Sequence, residues 1–424
     1  MHKRRGAPDI VEAAVYAGVF LLPLACWPDI AQSFSTPKLW VLCGIAAAVG
    51  ACVLLRRPAR RPVMEPAWPW LVWLAALGLS AAIAPFVSFE ALLIAMLPLA
   101  PAFALREGWL SGACVERALV WGSAIQSAVV ALEFLNLDLL RWFGWQADTY
   151  SSSRMRVYGL MGNPDFVAAW LCATLPLAVA RATRRPRLGG PLLALQAAAI
   201  LATGSRAAVL ALPVMAAVYA FSGSHARKWW LAAVPLAALA LWLSPGRSLQ
   251  TTIEGRLYLA RIAASHCREI PIAGYGPGSF EFPFAAWQTE WLRTHGSPPS
   301  AARFAGLVDH AHNDYLEFLI EYGPVGLCAF LALSGWLIGT AARGRRGFAA
   351  CAPAWAGLAG LLAVACVDFP FHRPAEWCLY WLLLAMPGTV CGASQEMNRE
   401  NCRSTEKENA ECQALSSDGC AWRR

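Results

Sequence analysis

The chain has 424 residues, of which 58% are hydrophobic and 15% charged, with a formal net charge of +8 and a mean hydropathy of +0.45. Soluble domains carry about 25% charged and ~45–50% apolar residues, so an apolar excess spread along the whole length argues against a soluble enzyme and for a polytopic membrane protein. The basic residues are dispersed between apolar segments, which fits membrane topology and speaks against a nucleic-acid footprint.

The sequence starts with MHKRR and an apolar run, as secretory signals do. No convincing cleavage site follows, and PLAC at 23–26 places Pro23 where a lipoprotein box wants an aliphatic residue. An uncleaved first span is therefore expected. Crossing about 30 Å of hydrocarbon takes about 20 apolar residues in a helix. About twelve such segments lie near 10–27, 39–55, 68–86, 89–105, 111–135, 165–180, 189–204, 206–222, 229–244, 314–340, 350–368 and 375–391. Strands of a barrel would need alternating segments of about 10 residues, and none is seen. The expected fold class is thus an all-α polytopic membrane protein.

Basic clusters at 3–5, 56–61, 181–187, 226–228 and 343–346, and Arg106, all fall on the cytoplasmic side if twelve spans start from a cytoplasmic N-terminus. The count depends on splitting 189–222 into two spans at a tight turn, Thr203-Gly204-Ser205-Arg206. Two larger segments then face outward, roughly 136–164 and 245–312, the latter between the ninth and tenth spans. The second begins with TTIEGRLYLARIAASHCRE, which reads as an amphipathic helix at the interface. GYGPGSF at 274–280 is not a dinucleotide fingerprint, since Pro277 intrudes and no strand–helix unit follows; it reads as a tight turn back to the membrane. A membrane domain over 1–391 would be followed by a polar, unpatterned tail at 392–424, read as disordered and cytoplasmic. Most of the 14 cysteines lie in apolar runs and no CxxC pair occurs, so neither a zinc site nor a thiol redox motif is supported.

VDHAHNDYLEFLIEYGPVG at 308–326 sets Asp309, His310, His312, Asn313 and Asp314 at the head of the tenth span. A histidine there can take a proton from a hydroxyl, with Asn313 and Asp314 orienting it or capping the helix; a plain hydrophilic cap reads equally well. A metal held by Asp309, His310 and His312 has weak spacing and no distant partner set. Among the outward arginines, guanidinium forks suit phosphate. Arg206 interrupts a long apolar stretch; Arg256 and Arg261 sit on the amphipathic segment, and Arg154 and Arg156 in the first outer loop. DFPFHRP at 368–374 brings Asp368 and His372 to the outer end of the eleventh span, as site residues or interfacial anchors. In Gly162-Asn163-Pro164-Asp165 the Asn-Pro marks a turn, and Asp165 is placed to cap the helix that follows.

Five stretches in order, GLMGNPDFVAAWL (159–171), TGSRAAVLAL (203–212), GRLYLARIAASHCREIPIAGYGPGSF (255–280), DHAHNDYLEFLIEYGPVGL (309–327) and DFPFHRPAEW (368–377), together resemble the O-antigen ligase/polymerase superfamily of bacterial inner-membrane glycosyltransferases. His312-Asn313, nine residues, Gly323, two residues and Gly326 follow the ligase signature. The resemblance implies a GT-C-like fold with its active site toward the periplasm, while the span count and charge distribution put both termini in the cytoplasm. It implies a glycan donor on undecaprenyl diphosphate, held by Arg206 and Arg256. His312 would be the catalytic base, with Asn313, Arg261, Asp368 and His372 in support. The acceptor would be a hydroxyl of lipid A-core, of a second lipid-linked glycan in a polymerase, or of a protein in an oligosaccharyltransferase. Transfer would proceed with inversion, without metal, cofactor or nucleic acid. The non-enzyme alternative is a transporter or flippase for lipid-linked sugars.

Overall fold

A computed structural model describes residues 7–55, 68–145, 157–222, 249–296, 303–342, 348 and 351–387. The helices are α1 (Ala7–Leu21), α2 (Thr36–Leu55), α3 (Trp68–Ile83), α4 (Phe89–Met96), α5 (Leu99–Arg106), α6 (Gly112–Phe134), α7 (Pro164–Arg184), α8 (Pro186–Thr203), α9 (Arg206–Phe221), α10 (Leu249–Ser265), α11 (Glu281–His295), α12 (Asp314–Ala341) and α13 (Ala352–Ala365), then α14 at 374–387. No strand occurs among the described residues. Among those residues, five segments are long and apolar enough to cross a membrane: Thr36–Leu55, Phe89–Arg106, Gly112–Phe134, Pro164–Arg184 and Asp314–Thr340. Ile10–Leu21, Trp68–Ile83, Val209–Phe221 and Ala352–Ala365 are shorter apolar helices. The predicted span at 229–244, the loop arginines Arg154 and Arg156, and the tail lie outside the described residues.

Two sequence signals set the packing of the C-terminal half. The first is the turn at Gly204, whose left-handed backbone (φ 65°) ends α8; Ser205 N–H donates to Thr203 Oγ1 at 3.2 Å. Glycine adopts this conformation without a Cβ penalty. With short connections at both ends of α8, helices α7, α8 and α9 run up, down and up. Tyr219 on α9 donates its hydroxyl to the Pro176 carbonyl on α7 (3.2 Å), so α7 and α9 begin at the same end of the bundle. α13 packs on both, with Gly357 against the Ala173 carbonyl and Gly360 against Met215. Beyond its last turn, Phe369 meets Phe166 in the first turn of α7. α13 therefore ends where α7 and α9 begin.

The second signal is Gly323. α12 is two helical pieces joined there, in a non-helical conformation (φ 67°, ψ 179°) followed by Pro324. Almost only glycine reaches that region. The break takes carbonyls out of the helical ladder, and buried carbonyls need donors. GYGPGSF supplies them: Tyr275 N–H donates to Ile320 O (2.9 Å) and Gly276 N–H to Glu321 O (2.8 Å). Ser80 Oγ on α3 also donates to Glu321 O (3.0 Å). The stretch is thus more than the tight turn expected from its composition: it is the seat of the helix break. A Cβ on Gly274 (φ 76°) would overlap the Glu321 carbonyl, and one on Gly326 would overlap the Tyr322 side chain. Gly274→Ala should therefore cost about 1–3 kcal/mol from backbone strain and overpacking, read as a lowered melting temperature in detergent.

α10 is a helix, as its pattern predicts. Its apolar face, Tyr258, Leu259, Ile262 and Ala263, packs with Phe280, Phe284, Trp287, Ala311 and Ile320 into a small second core. It rests on protein beside the first half of α12 and carries Arg256 with it.

Candidate functional site

The end of the bundle where α7, α9 and α12 begin and α13 finishes collects the polar residues. Asn313, in extended conformation, caps α12: its Oδ1 accepts from Leu316 N–H at 3.0 Å and its Nδ2 donates to Cys366 O at 3.1 Å. One side chain thus starts one helix and ties it to the close of α13. The preceding His312 has a positive φ of 50°, a left-handed conformation uncommon outside glycine. Its side chain is 45% exposed, with Nδ1 3.6 Å from Asp368 Oδ1. That is an ion-pair distance, longer than a hydrogen bond. With Nδ1 facing a carboxylate, Nε2 is the nitrogen left to accept a proton.

Asp368 is 3% exposed. Burial alone would raise its carboxyl, but Arg373 and then His312 outweigh burial and hold it below its ordinary value. Arg256 approaches the same group. Burial lowers its guanidinium from the usual value, and the Asp368 and Asp165 carboxylates offset part of this. Asp165 stands in the first turn of α7, where Asn163, and not Asp165, is the capping residue: Asn163 Oδ1 accepts from Asp165 N–H at 2.9 Å. Phe166 meets Phe369 edge to face at 5.6 Å, and Phe369 stacks on His310 with centroids 3.9 Å apart. Asp165, Arg256, His312 and Asp368 are thereby brought together. Arg206 opens α9 at this same end and is half-buried. Arg261, five residues beyond Arg256 and round the helix from it, is exposed and stands apart from the Asp368 cluster.

His372 is placed differently from His312. Its Nδ1 lies 2.7 Å from Asp314 Oδ1, and its Nε2 lies 3.2 Å from Glu321 Oε2 and 3.5 Å from Glu317 Oε1. Ionised carboxylates only accept, so such contacts call for both ring nitrogens to donate. Burial alone would lower the His372 imidazole, yet Glu317, Glu321 and Asp314 outweigh it and hold it well above its ordinary value. Glu317 also accepts from Ala311 N–H (2.8 Å) and lies 2.6 Å from His310 Nδ1, while Asp314 Oδ2 accepts from Phe371 N–H (2.9 Å). His372 is therefore a buried staple between α12 and the 366–373 turn, not a group open to substrate. Glu317, Glu321 and His372 have donor atoms close enough to share a cation. The same atoms are already joined by the proton-sharing contacts above. Asp309, by contrast, is exposed, and Asp309, His310 and His312 do not form a set with donor atoms close enough for one ion among the described residues.

Glu317, Glu321 and Arg373 belong to this end of the bundle although the motifs that contain them draw attention to other residues. A signal for the acids is present: Asp314, Glu317 and Glu321 fall at i, i+3 and i+7 on one helix face, and ionisable groups inside a membrane helix are rarely idle. No curated protein matches the chain. Residues 191–331 match the family model described as O-antigen ligase, a stretch that carries Arg206, Arg256, Arg261, His312 and Asn313 but ends before Asp368 and His372. That match supports the resemblance to the O-antigen ligase/polymerase superfamily that the ordered motifs on either side of it also carry.

Proposed function

We propose that this protein is an O-antigen ligase-type glycosyltransferase of the bacterial inner membrane. It has about twelve spans and a site facing the periplasm. It moves a glycan from undecaprenyl diphosphate to an acceptor hydroxyl, with lipid A-core as the acceptor. The observation that carries the reading is the convergence of an accessible histidine (His312), a buried carboxylate (Asp368) and a partly buried arginine (Arg256) at one end of the bundle. Motifs distant in sequence supply these groups.

The chemistry follows from their character. The acceptor oxygen attacks the anomeric carbon, the bond from that carbon to the diphosphate oxygen breaks, and the acceptor proton passes to His312 Nε2. The configuration at the anomeric carbon inverts because one displacement occurs. The leaving diphosphate carries away the electron pair, and Arg256 and Arg206 stabilise its charge. A diphosphate is already a good leaving group, so holding donor and acceptor in line supplies much of the rate.

The test is transfer by the purified protein from a lipid-linked glycan, with lipid A-core, a second lipid-linked glycan and a serine-containing peptide offered together. A ligase gives glycosylated lipid A-core as the main product and an unchanged rate in EDTA. A product built mainly on the second glycan or on the peptide moves the protein to the polymerase or protein-transferase branch. Loss of transfer on chelation, with recovery on adding metal back, would contradict the metal-independent step.

A further inference from the structure

Arg373 is 6% exposed, in the turn between α13 and α14. Its Nη2 donates to Asp368 Oδ2 at 3.3 Å, and its Nε lies 3.2 Å from Glu376 Oε1. The guanidinium carbon sits 3.9 Å from the centre of the Phe166 ring and 5.2 Å from that of Phe369. The guanidinium is thus held against two aromatic rings, hydrogen-bonded to one carboxylate and within ion-pair range of a second, a placement that a flexible ammonium does not reproduce. Asp368 uses one oxygen for Arg373 and turns the other to His312. The result is a chain of side chains: Glu376, Arg373, Asp368 and His312.

Resting on the transferase reading above, we propose that Arg373 is a positioning residue for transfer, clamping Asp368 so that its second oxygen is presented to His312. Arg373 is too buried to meet donor or acceptor, so it acts through Asp368. The titratable and charged groups facing Asp368 are His312 from the segment before α12, Arg373 from its own turn, and Arg256 from α10; Asp165 from α7 also faces Arg256. Glu376 shares Arg373 with Asp368 and is faced in turn by Lys38 from α2. The balance between Asp368 and Glu376 for one guanidinium sets how readily the Asp368–His312 pair, 3.6 Å apart, takes up a proton. An opposite charge at this range moves a carboxylate by about 1–3 pH units.

The experiment is the pH profile of glycan transfer by the full-length protein in detergent, for the wild type, Arg373→Gln, Glu376→Gln and Asp368→Asn. In Arg373→Gln the acid limb should move up by about one pH unit or more, with activity partly regained at higher pH and the KM for donor unchanged. In Glu376→Gln, which keeps shape and leaves Arg373 wholly to Asp368, the limb should move the other way. In the Asp368→Asn background, Arg373→Gln should add less than about twofold, because residues acting as one unit are not additive. A merely structural arginine gives lower yield with unshifted limbs and additive losses, and that pattern overturns the proposal. If Arg373→Gln does not fold, an unshifted limb in Glu376→Gln overturns it alone. Absence of glycan transfer by the wild type at every pH would instead overturn the underlying transferase reading.

Discussion

His312→Ala is expected to lower the rate of glycan transfer by about 10²–10⁴-fold, the usual contribution of a positioned general base. Donor binding should survive, because the groups proposed to hold the diphosphate, Arg206 and Arg256, lie on other helices. The loss should fall on kcat, as expected when an interaction made only in the transition state is removed. Stability should change little: His312 sits outside α12, is 45% exposed, and leaves the Asn313 cap in place. Turnover in detergent with a fluorescent lipid-linked glycan separates these effects. A variant that binds donor and transfers at the wild-type rate removes His312 from the mechanism.

The second large effect concerns stability rather than turnover. His372→Ala takes the cation from between Asp314, Glu317 and Glu321, all buried, and the 366–373 turn loses its ionic tie to α12. Removing one partner of a buried ion pair costs about 3–5 kcal/mol, so this variant should melt far below the wild type or fail to accumulate. The pH dependence has a definite sign. Folding raises the His372 imidazole well above its ordinary value, so its contribution is complete below the unfolded value of about 6.5. It fades as pH rises through the folded value. The melting temperature of the wild type should therefore decline on the alkaline side, and His372→Gln should lack that part of the decline. An alkaline slope unchanged in His372→Gln would show that the staple carries no charge.

Much of this arrangement is legible in the residues. Apolar runs mark most helices, and the turn at Thr203-Gly204-Ser205 separates two of them as its composition suggests. The spacing from His312 to Gly323 and Gly326 also has a physical meaning. One end sets the histidine before the helix, and the glycines allow the break that receives the 274–280 seat. What is not legible depends on pairing across the chain. GYGPGSF looks like a turn because its partners, the carbonyls of Ile320 and Glu321, are freed only once Gly323 breaks the helix. The Phe89–Arg106 stretch reads as one span but divides into α4 and α5 beside Pro98, where proline withholds an N–H from the ladder. Arg373 lies in a short motif whose aspartate and histidine draw the eye, and its role emerges only when Asp368 and Phe166 meet in space. Arg261 and Arg256 look alike on a helical pattern, yet Arg256 is the one that feels the Asp368 and Asp165 carboxylates.

Transfer is distinguished from translocation most directly by reconstitution into liposomes loaded with a lipid-linked glycan, with lipid A-core in the outer leaflet. Both the covalent product and the movement of donor between leaflets are followed. A transferase should give glycosylated lipid A-core with the wild type and none with His312→Ala, with donor movement the same as in empty vesicles. Donor that crosses the bilayer faster than in empty vesicles, with no product formed, would contradict it.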